Sequence, residues 1–174
     1  MALYSFAFLI TDLNPPSIFL LVSICCIFGS ILPIAILYCL AKRGIIADIY
    51  ASERSSRPKA FTGVALSYFL GIVVLMMVGA PPTLVALMAC YTINLIALML
   101  ISQYWKVSVH ASGITAPATF LATQMGIIML PFFLLLLPVA WARIKLKAHT
   151  PTQIAVGATL AVFLTLIQMG IYLR

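Results

Sequence analysis

Charged side chains are scarce in this chain, and acidic ones are the scarcest. Of its 174 residues only three are Asp or Glu, charged residues make up 7% of the total, and apolar residues make up 64%. A soluble globular domain carries about 25% charged residues, so the composition excludes that class. The chain is therefore expected to be an all-α, polytopic membrane helix bundle without a soluble domain.

Metal and redox chemistry have little support in the sequence. The cysteines lie within apolar runs, show no Cys-x-x-Cys spacing and have no histidine nearby, so we interpret them as structural thiols. The four are Cys25, Cys26, Cys39 and Cys90. The few acidic residues form no carboxylate cluster for Mg²⁺. We therefore expect no metal site and no other cofactor.

Apolar runs separated by turn residues predict six spans in one transmembrane domain of residues 1–174. The spans cover residues 17–41, 61–79, 83–102, 114–129, 131–145 and 152–173. The fourth and fifth spans are short, and the region that contains them could instead cross the membrane once. Gly126, Pro131 and Pro138 weaken one straight helix there, so two short helices joined near Pro131 are the preferred interpretation.

Basic residues outnumber acidic ones, and the formal net charge is +7. Six spans would place nine of the ten Lys and Arg residues on one face, with Arg174 alone on the other. The positive-inside tendency puts the basic face in the cytoplasm of a cell membrane and both termini outside. Because the chain has no soluble platform for a nucleic acid, this charge indicates a surface suited to anionic lipid headgroups.

Both histidines of the chain lie close to cations where apolar sequence ends or resumes. His110 follows Lys106, and His149 follows Arg143. A guanidinium can bind two phosphate oxygens at once. A neutral imidazole can attack phosphorus, and a protonated one can donate to the departing oxygen. Because six spans bring both histidines to the face that also carries the basic loop before the second span, the pattern indicates phosphate chemistry at the membrane surface.

These segments resemble the integral-membrane phosphatidic acid phosphatase type 2 family over roughly residues 42–165. The three motifs of that family run Lys-x6-Arg-Pro, Pro-Ser-Gly-His and Ser-Arg-x5-His-x3-Asp. The matching residues are Arg57 and Pro58 in the first motif, Ser108 and His110 in the second, and Arg143 and His149 in the third. The resemblance implies a six-helix layout and catalysis through a phosphohistidine intermediate.

The resemblance also implies a role for each matching side chain. His149 would be the nucleophile, and His110 would be the general acid for the leaving group. Arg57 and Arg143 would bind the phosphate, and Ser108 would donate a hydrogen bond to it.

The sequence departs from the family's motifs at Tyr50, Val107, Val109, Ala142 and Gln153. Gln153 stands where the third motif has its aspartate. Its side-chain oxygen can accept the N–H of the nucleophilic imidazole and orient it, but supplies no charge. Glu53 could supply a carboxylate from another loop. Tyr50 replaces the lysine of the first motif, and Lys106 or Arg54 could serve as the third cation.

The resemblance implies a metal-independent membrane hydrolase that acts on a lipid phosphate or an isoprenyl diphosphate. The lipid tail would stay in the bilayer while the headgroup reaches the basic face. The alternative is a non-catalytic, phosphatase-like subunit that packs in a larger membrane complex or binds anionic lipid. A small transporter is less favoured, because the spans carry almost no acidic residue.

Polar and small residues inside the spans predict how the helices pack. Asn94 and Gln124 are expected to form hydrogen bonds between helices. Close helix packing is expected at Gly71, Gly79, Gly157 and Gly170.

Overall fold

A computed structural model describes residues 15–172, and every secondary-structure element in that range is helical. Five helical segments within it are long and apolar enough to cross a membrane. The all-α membrane fold class predicted from composition is therefore confirmed. Contacts divide the chain into two compact units, Met1–Thr92 and Ile93–Arg174. We refer to these as the N-terminal and the C-terminal unit.

The N-terminal unit contains two long helical stretches and the start of a third. The first comprises α1 (Pro15–Cys26), a π-helical segment (Ile27–Ile31) and α2 (Leu32–Lys42). A 3₁₀ turn (Arg54–Ser56) then leads directly into α3 (Arg57–Met77), and α4 (Pro82–Ser102) begins in this unit. The second stretch starts before residue 61, the expected boundary, because Pro58 occupies the first turn of α3, where a missing N–H is tolerated.

A close contact between α3 and the π-helical segment organises the N-terminal unit. The Ser67 hydroxyl donates to the Phe28 carbonyl at 2.8 Å. A Cβ atom at Gly71, one turn later, would lie 2.6 Å from the Met88 side chain and 2.7 Å from that of Phe28. The expectation of close packing at Gly71 is thus confirmed.

The C-terminal unit contains the end of α4 and three further stretches. They are α5 (Val109–Met125), a 3₁₀ segment (Ile127–Leu135) that continues into α6 (Leu136–Lys145), and α7 (Pro151–Tyr172). The expected break near Pro131 is wrong, since the chain breaks at Gly126, which has φ 78° and ψ −165°. Only glycine adopts this backbone region readily, whereas Pro131 is accommodated inside the 3₁₀ segment.

This shift of the break changes the expected lengths of the two spans. The fourth stretch starts at Val109 rather than at residue 114, so His110 lies in a helix and not in a loop. The fifth runs over Ile127–Lys145 and is 19 residues long. Nine 3₁₀ residues at about 2.0 Å and ten α-helical residues at about 1.5 Å give roughly 33 Å. The fifth stretch is therefore long enough to cross a hydrocarbon core of about 30 Å.

Hydrogen bonds within the C-terminal unit show how its helices are directed. The Ser108 amide, just before α5, donates to the Gln153 carbonyl in the first turn of α7 at 3.1 Å. Further along both helices, the Thr115 hydroxyl donates to the Ala158 carbonyl at 3.1 Å. Helices α5 and α7 therefore begin at the same end of the unit and run in the same direction. The stretch between them returns the chain to that end. The two-crossing interpretation requires such a return, but α5, with 17 residues, is not among the five segments long enough to cross a membrane.

A buried polar cluster joins α4 and α7 inside the C-terminal unit. The Asn94 amide nitrogen donates to the Thr165 hydroxyl at 3.0 Å, and the Gln168 amide nitrogen donates to the Asn94 side-chain oxygen at 3.0 Å. The interhelical hydrogen bonding expected of Asn94 is thereby confirmed. Among the other glycines expected to permit close packing, Gly79 and Gly170 have nothing within 4 Å of an added Cβ, so that expectation is wrong for both.

The conformation of Gly126 gives a test of the break. Gly126→Ala should lower the free energy of unfolding by about 1–3 kcal/mol, because an L side chain is strained in this backbone region. The measurement is the thermal unfolding midpoint of the purified protein in detergent. Gly113→Ala, within α5 and with nothing within 4 Å of the added Cβ, is the matched control and should not lower the midpoint. Equal midpoints for the two variants would contradict a break at Gly126.

Candidate active site

The turn between α6 and α7 places His149 just before a helix. At the end of α6 the Arg143 carbonyl accepts hydrogen bonds from the Ala148 amide at 3.0 Å and from the His149 amide at 3.3 Å. Lys147 lies between them with φ 52°, in the left-handed region that closes such turns. Arg143 and His149 are thus joined through the backbone, and His149 is buried, with 7% of its surface exposed.

The start of α7 is held by a capping box. The Gln153 side-chain oxygen accepts from the Thr150 amide at 3.1 Å, and the Thr150 hydroxyl accepts from the Gln153 amide at 3.3 Å. Pro151 occupies the first helical position, where its missing N–H costs nothing. The Thr-x-x-Gln spacing with a following apolar run is a sequence signature of this arrangement. Gln153 therefore has a capping role that was not expected from the family's motif.

Ser108 also serves as a helix cap. Its hydroxyl oxygen accepts from the Ala111 amide at 3.3 Å at the start of α5. The residue is fully buried, with 0% of its surface exposed. The side chain expected to contact phosphate thus also begins the helix that carries His110.

A basic depression of about 460 Å³ lies at this end of the C-terminal unit. Lys106 lines it from the segment before α5, and Lys147, His149 and Gln153 line it from the turn and the start of α7. The other lining residues are Ile144, Ala148, Thr150 and Pro151. None of the lining residues is acidic. The structure thus brings Lys106 and His149, which are 43 positions apart in the sequence, to one concave surface with a positive charge.

Arg143 carries a donor without an acceptor. Its Nε atom is buried and has no hydrogen-bond partner within the described part of the chain. A buried polar donor that makes no hydrogen bond costs free energy, and more so when the group is charged. An anion at this position would remove that cost.

His110 has a different setting from His149. It lies in the first turn of α5 and is exposed. It is at the end of the unit where α7 also begins, but is absent from the residues that line the depression. The structure therefore brings the two histidine segments to one end, while the two imidazoles differ in burial.

Arg57 is buried within the N-terminal unit, with 3% of its surface exposed. Its Nε donates to the Ala51 carbonyl at 3.3 Å, and its guanidinium carbon lies 6.0 Å from the centre of the Phe61 ring. Arg54 starts the preceding 3₁₀ turn and is exposed. Glu53, the candidate carboxylate, accepts from the Ser55 hydroxyl at 3.4 Å.

The capping box makes a prediction about Gln153. Gln153→Glu should keep the thermal stability of the protein, because glutamate can accept from the Thr150 amide and its charge suits a helix N-terminus. Gln153→Ala should lower the free energy of unfolding by about 0.5–2 kcal/mol. Thermal midpoints of both variants in detergent measure the difference. If the two variants lost the same stability, the capping role of Gln153 would be wrong.

No protein-family model matches the chain, and neither a curated protein nor a solved structure matches it.

Proposed function

We propose that the protein is an integral-membrane phosphatase that hydrolyses a phosphomonoester or diphosphate on a lipid. The candidate substrates are phosphatidate, phosphatidylglycerol phosphate and isoprenyl diphosphates. The observation that carries the proposal is the buried Nε of Arg143, which lacks an acceptor in the described chain while the backbone carbonyl of the same residue holds His149. The resemblance to the phosphatidic acid phosphatase type 2 family gives the same two residues a phosphate ligand and a nucleophile.

Charge complementarity favours a phosphoryl group as the occupant. Lys106 and Lys147 add two positive charges to the lining of the depression that His149 shares. Arg143 is not among the residues that line the depression, but it lies in the last turn of α6, which leads to His149, and a planar guanidinium can bind two phosphate oxygens. Cations that are fixed before the substrate arrives also stabilise the charge that develops in phosphoryl transfer.

The proposed reaction has two steps. An imidazole nitrogen of His149 attacks phosphorus, the bond from phosphorus to the leaving oxygen breaks, and His110 donates a proton to that oxygen. Water then attacks the phosphohistidine while His110 accepts a proton from it. The phosphorus–nitrogen bond breaks, and inorganic phosphate leaves with His149 restored. The cations supply the electrostatic stabilisation, and the reaction needs no redox partner.

Two further parts of the proposal rest on the sequence. The resemblance implies a second phosphate ligand at Arg57 and a hydrogen bond from Ser108 to the phosphate, and Arg54 could serve as the third cation in place of the family's lysine. The excess of Lys and Arg places the basic end at the cytoplasmic face of a cell membrane. The acyl or isoprenyl chain of the substrate would remain in the bilayer.

The nucleophile is tested by His149→Ala. Phosphate release from each of the three lipid classes should fall at least about 10³-fold in purified, detergent-solubilised protein, because the covalent step is lost. Wild-type protein given radiolabelled lipid phosphate should form an acid-labile, base-stable phosphoenzyme that the variant does not form. The control is Thr152→Ala, an exposed position in the first turn of α7, which should keep its turnover. Phosphate release by His149→Ala at the wild-type rate would contradict the role of His149 as the nucleophile.

Arg143→Gln tests the anion site without removing the nucleophile. The substitution keeps a side chain of similar length but removes the charge, so kcat/KM should fall about 10²-fold or more. Vanadate binding should weaken about 10-fold or more, since hydrogen bonds to a charged donor are lost. Lys145→Gln removes the same charge from the end of α6, where the Lys145 ammonium lies 4.6 Å from the centre of the Trp141 ring. Equal vanadate affinity in the two variants would contradict a phosphate site at Arg143.

One observation favours a second candidate, a non-catalytic phosphatase-like subunit. The Gln153 side-chain oxygen is used in the helix cap, and the position lacks the charge of the family's aspartate. Such a subunit would bind vesicles that contain anionic lipid but release no phosphate from any of them. Turnover by the wild-type protein purified alone would exclude this second candidate.

A further inference from the structure

We infer that Gly157 is a positioning residue that sets the distance between the two halves of the candidate site. It lies in the second turn of α7, where the segment that carries Lys106, Ser108 and His110 packs against the helix. The inference concerns how the site is held together and rests on the proposed function for its effect on catalysis.

The contact at Gly157 is made by backbone atoms. A Cβ atom added at this glycine would lie 2.5 Å from the Ser108 carbonyl oxygen and 3.3 Å from both the carbonyl carbon and the amide nitrogen of the same residue. Real Cβ atoms essentially never approach a heavy atom as closely as 2.5 Å. A flexible side chain could rotate away from such a clash, but a carbonyl can move only if its segment moves.

Ser108 is fixed from other directions as well. Its amide donates to the Gln153 carbonyl at 3.1 Å, its hydroxyl caps α5, and both it and Val107 are completely buried. The clash therefore cannot be relieved by a local rotation of Ser108. The segment must shift away from α7 as a unit.

Such a shift would alter the site itself. Lys106 shares the lining of the depression with His149, and His110 follows Ser108 by two positions. His149 and Gln153 stay with α7, because the turn and the capping box hold them there. A misplacement of about 1 Å can cost about 10²-fold in rate when reacting groups must be held in a fixed geometry.

The rest of the α5 and α7 contact is also built from small residues. Ala111 and Ala158 are buried in the same cluster, and the Thr115 hydroxyl reaches the Ala158 carbonyl. Small residues let helix backbones approach each other inside a membrane. Within this contact between α5 and α7, a methyl group added at Gly157 would clash with the backbone of Ser108.

The test compares Gly157→Ala with Gly170→Ala in the full chain. Gly170 lies in the same helix, and nothing lies within 4 Å of a Cβ added there, so the control carries the same chemical change. Gly157→Ala should lower kcat for lipid phosphate about 10- to 100-fold, with a smaller change in KM, because the apolar tail still binds. Hydrogen exchange of the Ser108 amide should accelerate in a peptide that covers residues 106–112. Gly170→Ala should change neither quantity.

The outcomes separate this inference from the proposed function. Wild-type kcat and unchanged exchange in Gly157→Ala would overturn the inference, whatever the enzyme does. Exchange that accelerates equally throughout α5 and α7, with a lower thermal midpoint, would also overturn it, because Gly157 would then serve only general stability. If wild-type protein released no phosphate but exchange accelerated only over residues 106–112, the proposed function would fail while the positioning of the segment by Gly157 would stand.

Discussion

The hydrogen bond from the Ser108 amide to the Gln153 carbonyl is the interaction on which the candidate site depends. It joins the residue before α5 to the first turn of α7, and it can form at 3.1 Å because Gly157 leaves room for the Ser108 carbonyl. Without this bond, Lys106 and His149 would belong to separate helix ends. With it, they line one depression. Ser108 is completely buried in the protein, so little water can compete for this hydrogen bond.

The fold class and the direction of the helices were predictable, because both follow from apolar content and from where charge is tolerated. A return of the chain between the histidines also followed, since Gly126, Pro131 and Pro138 argue against one straight helix. Two full membrane crossings there stay a prediction, because α5 has 17 residues and is not among the five segments long enough to cross a membrane. The predicted position of the break, near Pro131, was wrong, because the helix ends at Gly126. Proline weakens an α-helix but fits a 3₁₀ segment with its different hydrogen-bond pattern, whereas the φ of 78° at Gly126 reverses the chain outright. A sequence pattern identifies the residues that can interrupt a helix. Which of them does so depends on backbone angles, and these are set by tertiary packing.

Within the candidate site, sequence reasoning expected Lys106, Arg143 and His149 on one face, and the joint role of these residues in phosphate chemistry stays a prediction. It did not predict the use of Ser108 and Gln153 as helix caps, although the Thr-x-x-Gln signature was present at Thr150. A short polar side chain at the start of a helix can form a hydrogen bond either with a ligand or with the first backbone amides of the helix. The burial of Ser108 depends on Gly157, which is 49 positions away in the sequence, and local spacing carries no information on such a contact.

Neutral and cationic groups have different roles in the candidate site. The side chains of Ser108, Thr150 and Gln153 satisfy backbone amides at the starts of α5 and α7, and the Arg143 carbonyl satisfies two more in the turn. Neutral groups therefore fix the local geometry, and in the proposed function the cationic groups would bind the ligand. Such a site would select for anionic charge more strongly than for the shape of a headgroup, because electrostatic attraction is less directional than a neutral hydrogen bond. In the proposed function, discrimination between lipid substrates would then come from the apolar chain and from the surfaces of the helices that contact it, rather than from the depression that holds His149.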